Sequence, residues 1–138
     1  MSRIRLPLVA HIHRSAWSAT NCAASPRSHQ LASWAAQRGV KVYLLTGRNE
    51  FQGPASLTNL ANDGYPAPTE AFFMKVEAPD YLPCGLTCNT VQYKSGTRAH
   101  IASMGSNIVL NLGDQFSDLE GGYAERPVKL PNPMHYLP

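Results

Sequence analysis

Val40-Lys41-Val42-Tyr43-Leu44-Leu45-Thr46-Gly47-Arg48 is the stretch whose reading decides the fold. Residues 40–45 form a nearly continuous apolar run, interrupted only by Lys41, without the polar alternation of a half-exposed strand. That is how a strand buried on both faces reads, and such strands belong to parallel sheets covered by helices. The flanks agree with this. Upstream, Leu31, Trp34 and Ala35 recur at helical spacing, and Gly39 follows Arg38 as a helix stop. Downstream, residues 54–63 read as a helix with Pro54 early and Gly64 at its end.

The alternation continues. Residues 71–76 read as a second strand, followed by a loop through Pro79 and Pro83. Residues 97–104 read as a short helix closed by Gly105, and residues 107–112 as a third strand entering Gly113-Asp114. Strand, helix, strand, helix, strand argues for the α/β class, with a Rossmann-like parallel sheet and flanking helices. Residues 126–130 can add an edge strand before a tail in which Pro131, Pro133 and Pro138 forbid regular pairing. The sequence contains no internal repeat, Walker phosphate loop, Gly-x-Gly-x-x-Gly fingerprint or His-Glu-x-x-His.

The 138 residues set a prior of one domain, and 43% hydrophobic with 15% charged residues excludes a disordered or fibrous chain. No run approaches eighteen apolar residues, so no membrane-spanning helix is expected. The net charge of +3 is distributed unevenly: residues 1–49 hold seven basic and no acidic residues, whereas residues 50–138 hold five basic and nine acidic ones. The acid-free start is rich in Arg, Ser and Ala, which sets apart a basic, loosely ordered leader over residues 1–27 from a core over residues 28–138. A secretory signal fits the leader poorly, because Pro7 interrupts its apolar run and His11, His13 and Arg14 follow; an organelle transit peptide fits the composition better. Clustered basic residues with interleaved aromatics are missing from the leader, so nucleic acid is not an expected partner. Cys22, Cys84 and Cys88 are too few for a disulfide framework or a four-ligand zinc site; Cys84-Gly85-Leu86-Thr87-Cys88 leaves open two free thiols or one local bridge.

Ligands of open α/β sheets bind beyond the carboxyl ends of the strands. There the sequence offers Thr46 and Gly47, a hydroxyl beside a flexible backbone amide; Lys94, a cation; and Asp114 with Asp118, two carboxylates four residues apart. The first two can donate hydrogen bonds to phosphoryl oxygens, the lysine supplies a compact positive charge, and the carboxylates suit Mg²⁺. Each feature alone is ordinary, a turn or a solvated lysine. Their joint occurrence at strand ends points to a phosphate and metal site.

Val42-Tyr43-Leu44-Leu45-Thr46-Gly47-Arg48, Tyr93-Lys94-Ser95 with Arg98, and Gly113-Asp114-Gln115-Phe116-Ser117-Asp118 resemble the second, third and fourth motifs of the haloacid-dehalogenase-like hydrolases. The wording is closest to their acid phosphatase branch, which includes plant vegetative storage proteins, and Lys129-Leu130-Pro131-Asn132-Pro133 is similar to that branch too. The resemblance implies a Rossmann-like core and a Mg²⁺-dependent phosphomonoesterase. Thr46 and Gly47 would bind the phosphate, Lys94 would stabilise nucleophile and phosphate, and Asp114 would ligate Mg²⁺ with Asp118 assisting. It also implies an aspartate nucleophile in an Asp-x-Asp motif after the first strand, and no Asp precedes Asp63. Leu8-Val9-Ala10-His11-Ile12-His13 places histidines where those aspartates would stand.

Two functions are therefore expected. One is an acid phosphatase core incomplete at its N-terminus and inactive as written, through truncation or a displaced start. The other is a non-catalytic phosphate-binding, metal-binding or storage-type protein on the same scaffold. The partner in both is a small phosphomonoester or inorganic phosphate. If residues 6–12 supply the missing central strand, the sheet closes, although Pro7 cannot donate to an interior ladder.

Overall fold

In chain order the elements are β1 (Pro7–Ile12), α1 (Pro26–Gln37), β2 (Lys41–Asn49), α2 (Gly53–Asn62), β3 (Ala71–Lys75), α3 (Thr90–Ser103), β4 (Leu110–Gly113) and β5 (Pro127–Lys129). They come from a computed structural model that describes residues 7–12, 26–49, 53–62, 71–75 and 79–130. The five strands form one sheet in the order β3-β2-β1-β4-β5, and every neighbouring pair runs parallel. The α/β class with a parallel, helix-flanked sheet is thus the observed one.

The centre of the sheet is β1, six residues from the segment set apart as a leader. Pro7 stands at the first position of the strand, where a missing N–H is tolerated. The rest of that leader, residues 1–6 and 13–25, lies outside the described residues, as does the tail from residue 131.

Burial explains why β2 lacks polar alternation. Val42 and Leu44 pack with Ala32 and Ala35 of α1 and with Leu112 of β4 on one face. On the other face Tyr43 and Leu45 pack with Ile101 of α3 and with Ile108. Successive side chains of a strand point to opposite faces, so two helical layers require apolar residues at consecutive positions.

Three local expectations need correction. Trp34 shares the helical spacing of Leu31 and Ala35, yet it is 52% exposed and carries the Arg38 guanidinium 4.2 Å above its ring. Ala35 does face the sheet, joined by Ala32 with Leu31 packed beside them, since α1 crosses close to β2. The helix expected over residues 97–104 begins seven residues earlier, at Thr90. Its start signal is a capping box: the Asn89 side chain accepts from the Gln92 N–H at 2.8 Å, and Gln92 Oε1 accepts from the Asn89 N–H at 2.9 Å. The third strand expected over residues 107–112 is β4, shifted to Leu110–Gly113. Just before α3, Cys84 and Cys88 form a disulfide across a 3₁₀ turn at Gly85–Thr87, which resolves the open cysteine reading. Among the described residues no helix is long and apolar enough to cross a membrane.

Candidate phosphate site at the carboxyl edge of the sheet

The strand order reverses at β1, with β2 on one side and β4 on the other, and such a switch point opens a crevice at the carboxyl edge. The register sets what meets there. His11 of β1 pairs with Leu45, Ile12 pairs with Thr46, and Ala10 pairs with Leu112, so Gly113-Asp114 leaves β4 at the same level. The pairing of β2 with β3 shifts between Leu45 and Asn49, an irregularity that spans Thr46 and Gly47. Thr46 is buried whereas Gly47 is exposed, and among the described residues no atom lies within 4 Å of a Cβ placed at Gly47.

Lys94 reaches this level from α3, not from a strand end as the sequence suggested. Its residue is 3% exposed; Nζ lies 3.5 Å from the Leu45 carbonyl and 3.3 Å from Asp118 Oδ1. Burial pushes its pKa below the ordinary lysine value, and Asp118, then Asp114, oppose that shift by favouring the charged form. A buried ammonium is kept charged here by one carboxylate in contact and a second nearby.

Asp118 is the most constrained member. It closes a 3₁₀ turn at Phe116–Asp118; its Oδ1 faces Lys94 and its Oδ2 accepts from the Gln115 N–H at 3.2 Å. Its carbonyl accepts from Arg98 Nη1 at 2.7 Å and from Asn111 Nδ2 at 3.3 Å. Both carboxylate oxygens of Asp118 are thus engaged, one of them by the Lys94 ammonium. The glycine of Gly113-Asp114 is required by space: a Cβ at Gly113 would lie 2.5 Å from Asp118 Cβ.

The residues the sequence singled out thus converge, with two displacements: Lys94 arrives by helix, and Thr46 and Gly47, expected just beyond the strand, lie inside β2, which runs on to Asn49. Sequence reasoning noted Arg98 only as part of a motif and missed its function as a clamp. It donates to the carbonyls of Asp118, Glu120 and Gly122. Its spacing of four from Lys94 was the available signal, since residues four apart share a helix face.

A parallel sheet with helices on both faces and a crevice at this switch point defines a Rossmann-like α/β fold. In agreement, the structure of the class C acid phosphatase from Bacillus anthracis superposes with a TM-score of 0.64 over 98% of this chain and 70% of that one, at 18% identity. The family model described as HAD superfamily, subfamily IIIB (Acid phosphatase), matches residues 13–138, and the chain belongs to that family. Similar sequences are acid phosphatase 1 of Solanum lycopersicum, 40% identical over 100 residues, and the stem 28 kDa glycoprotein of Glycine max, 35% identical over 101 residues. Each alignment takes in 72% of this chain. Vegetative storage protein 2 of Arabidopsis thaliana is 45% identical over 56 residues, 41% of this chain and 21% of that protein. The chain spans 36% of the tomato protein and 37% of the soybean one.

Proposed function

We propose that the chain binds the phosphoryl group of a small phosphomonoester, or inorganic phosphate, at the carboxyl edge of β2, β1 and β4, with little or no turnover. The observation that carries this reading is the buried Lys94 ammonium, 3.3 Å from Asp118 at the level where β2 parts from β1 at Thr46 and the chain leaves β4 into Asp114. Ser117 Oγ supports it, because this buried hydroxyl beside Asp118 has no hydrogen-bond partner among the described residues and a phosphoryl oxygen would supply one.

Acid phosphatases of this family generally use a divalent metal. The donor set fits a hard cation. No cluster of three or more His, Cys, Asp or Glu that could hold a metal occurs among the described residues, and Mg²⁺ is commonly held by one or two carboxylates plus substrate phosphate. Asp114 would hold it, and the bound ion would polarise the phosphoryl oxygens. Charge gives this residue set a further requirement. Asp114 and Asp118 offset Lys94 and Arg98, so an approaching phosphate dianion meets no net positive charge until a divalent cation supplies it.

Turnover is expected to fail for want of a nucleophile. Residues 1–49 contain no carboxylate, and at the end of β1 the chain offers His11 and Ile12, followed by His13. Covalent phosphoryl transfer requires a correctly placed nucleophile, and histidine is a poor replacement for a carboxylate facing Mg²⁺. The relatives named vegetative storage proteins favour a second reading, a non-catalytic storage-type protein on the same scaffold. The Cys84–Cys88 bridge fits an oxidising compartment under either reading.

The test is titration calorimetry with inorganic phosphate in Mg²⁺, alongside p-nitrophenyl phosphate hydrolysis. Saturable phosphate binding without turnover is expected. Hydrolysis that disappears on Asp114→Asn would overturn the inactivity, and absence of phosphate binding would overturn the site.

A further inference from the structure

Arg98 is the largest side chain buried completely in the described residues. It lies one turn beyond Lys94 on α3, and the two cations address the same segment in different ways. Lys94 meets the Asp118 carboxylate, while the hydrogen bonds of Arg98 among the described residues all go to main chain: Nε donates to the Gly122 carbonyl at 2.9 Å, Nη1 to the Asp118 carbonyl at 2.7 Å, and Nη2 to the Glu120 carbonyl. The planar guanidinium fork can serve three carbonyls of one curved segment at once, which an ammonium cannot match.

The curvature itself is held against α3. Gly121 has φ +92°, and a Cβ there would lie 2.4 Å from Ser95 Cβ, so residues 118–122 lie directly on the helix between Lys94 and Arg98. Asp118 is consequently anchored at its carbonyl by Arg98 and Asn111 and at Oδ2 by the Gln115 N–H, leaving Oδ1 directed at Lys94. An apolar side chain could fill the volume of Arg98 but could not fix the path of the segment.

We propose that Arg98 is a positioning residue for the phosphate site: by clamping residues 118–122 it fixes Asp118, and through Asp118 it aims the Lys94 ammonium. This rests on the phosphate-site reading above. Without the clamp the Asp118 carboxylate is free to turn, Lys94 loses its fixed orientation, and phosphate affinity falls although neither Arg98 nor its carbonyl partners touch phosphate.

The experiment uses the full chain with ¹⁵N-labelled lysine, and follows the ¹H–¹⁵N signal of the Lys94 ammonium, assigned by its disappearance in Lys94→Arg. Wild type is expected to show a slowly exchanging ammonium signal, as a buried ion pair should. Arg98→Met and Arg98→Lys should lose or shift that signal, and should weaken inorganic phosphate binding in Mg²⁺ by about tenfold or more, the scale on which small misplacements act. Both should still unfold cooperatively. If the variants only unfold at lower urea concentration, while the folded protein keeps the wild-type Lys94 signal and phosphate affinity, Arg98 is structural and the proposal fails. Should Arg98→Met not fold, Arg98→Lys, which retains the charge, decides by the same two readouts. If wild type binds no phosphate, the site reading falls on its own, and an unchanged Lys94 signal in the Arg98 variants would overturn the coupling separately.

Discussion

Lys94 Nζ stands 3.3 Å from Asp118 Oδ1, and the two side chains are each 4% exposed. Removing one partner of a buried pair strands the other charge in a poorly solvating interior, at a cost of about 3–5 kcal/mol. Lys94→Met and Asp118→Leu are each expected to lower unfolding free energy by that order. The double variant should lose clearly less than the sum, and urea denaturation of the four proteins in the cycle measures the difference.

Gly113 and Gly96 both meet a close neighbour, yet substitution should affect them differently. A Cβ at Gly113 would sit 2.5 Å from Asp118 Cβ, an atom fixed by the 3₁₀ turn and by the partners of Asp118. Gly113→Ala should cost about 1–3 kcal/mol, as overpacking does, and weaken phosphate binding as well. At Gly96 the obstacle is Leu82 Cδ1, also 2.5 Å away but at the end of a flexible side chain. Alanine is favoured over glycine inside a helix by about 1 kcal/mol, so Gly96→Ala should be close to neutral. Thermal and urea unfolding of the two variants compares them.

Phosphate binding should require a divalent cation. With EDTA the two carboxylates offset Lys94 and Arg98, and the site should bind inorganic phosphate at least about tenfold more weakly than in Mg²⁺, by simple charge complementarity. Asp114→Asn should remove most of that metal dependence while leaving the stability of the metal-free protein within about 1 kcal/mol, because Asp114 is not a member of the Lys94–Asp118 pair. Calorimetry with and without metal, and urea unfolding in EDTA, check both statements.

Alkaline pH should destabilise the fold through its tyrosines. Burial pushes the Tyr93 hydroxyl well above its usual value of 10, and the nearby Tyr81 adds to the shift, while a hydrogen bond with Thr97 opposes it. Burial likewise raises Tyr81. The folded state therefore keeps a proton that the unfolded chain releases above pH 10, and stability falls as pH rises through that range. The expected slope is about 1.4 kcal/mol per pH unit for each fully shifted tyrosine. Tyr93→Phe should lessen the decline between pH 10 and 11, measured by urea unfolding across that interval.

Much of this architecture was legible because it rests on local patterns. An apolar run at residues 40–45 with no alternation can only be satisfied by cover on both faces, and β2 is covered by α1 and α3. Thr46, Lys94, Asp114 and Asp118 stood out by residue type and by place after apolar segments, and they converge at one edge. Other features depended on partners distant in sequence. The acid-free start offered residues 6–12 only as a conditional central strand, since the pairing of β1 with β2 and β4 is a property of three segments together. Trp34 fitted a helical stripe, but close approach of α1 to the sheet selected Ala32 and Ala35 for burial. The sequence by itself determined a parallel α/β sheet with a cation and two carboxylates near its carboxyl edge, because periodicity and residue chemistry are written locally. Only the tertiary structure decided that Lys94 pairs with Asp118 and that Arg98 holds the main chain around it, because those distances depend on α3 packing against residues 118–122.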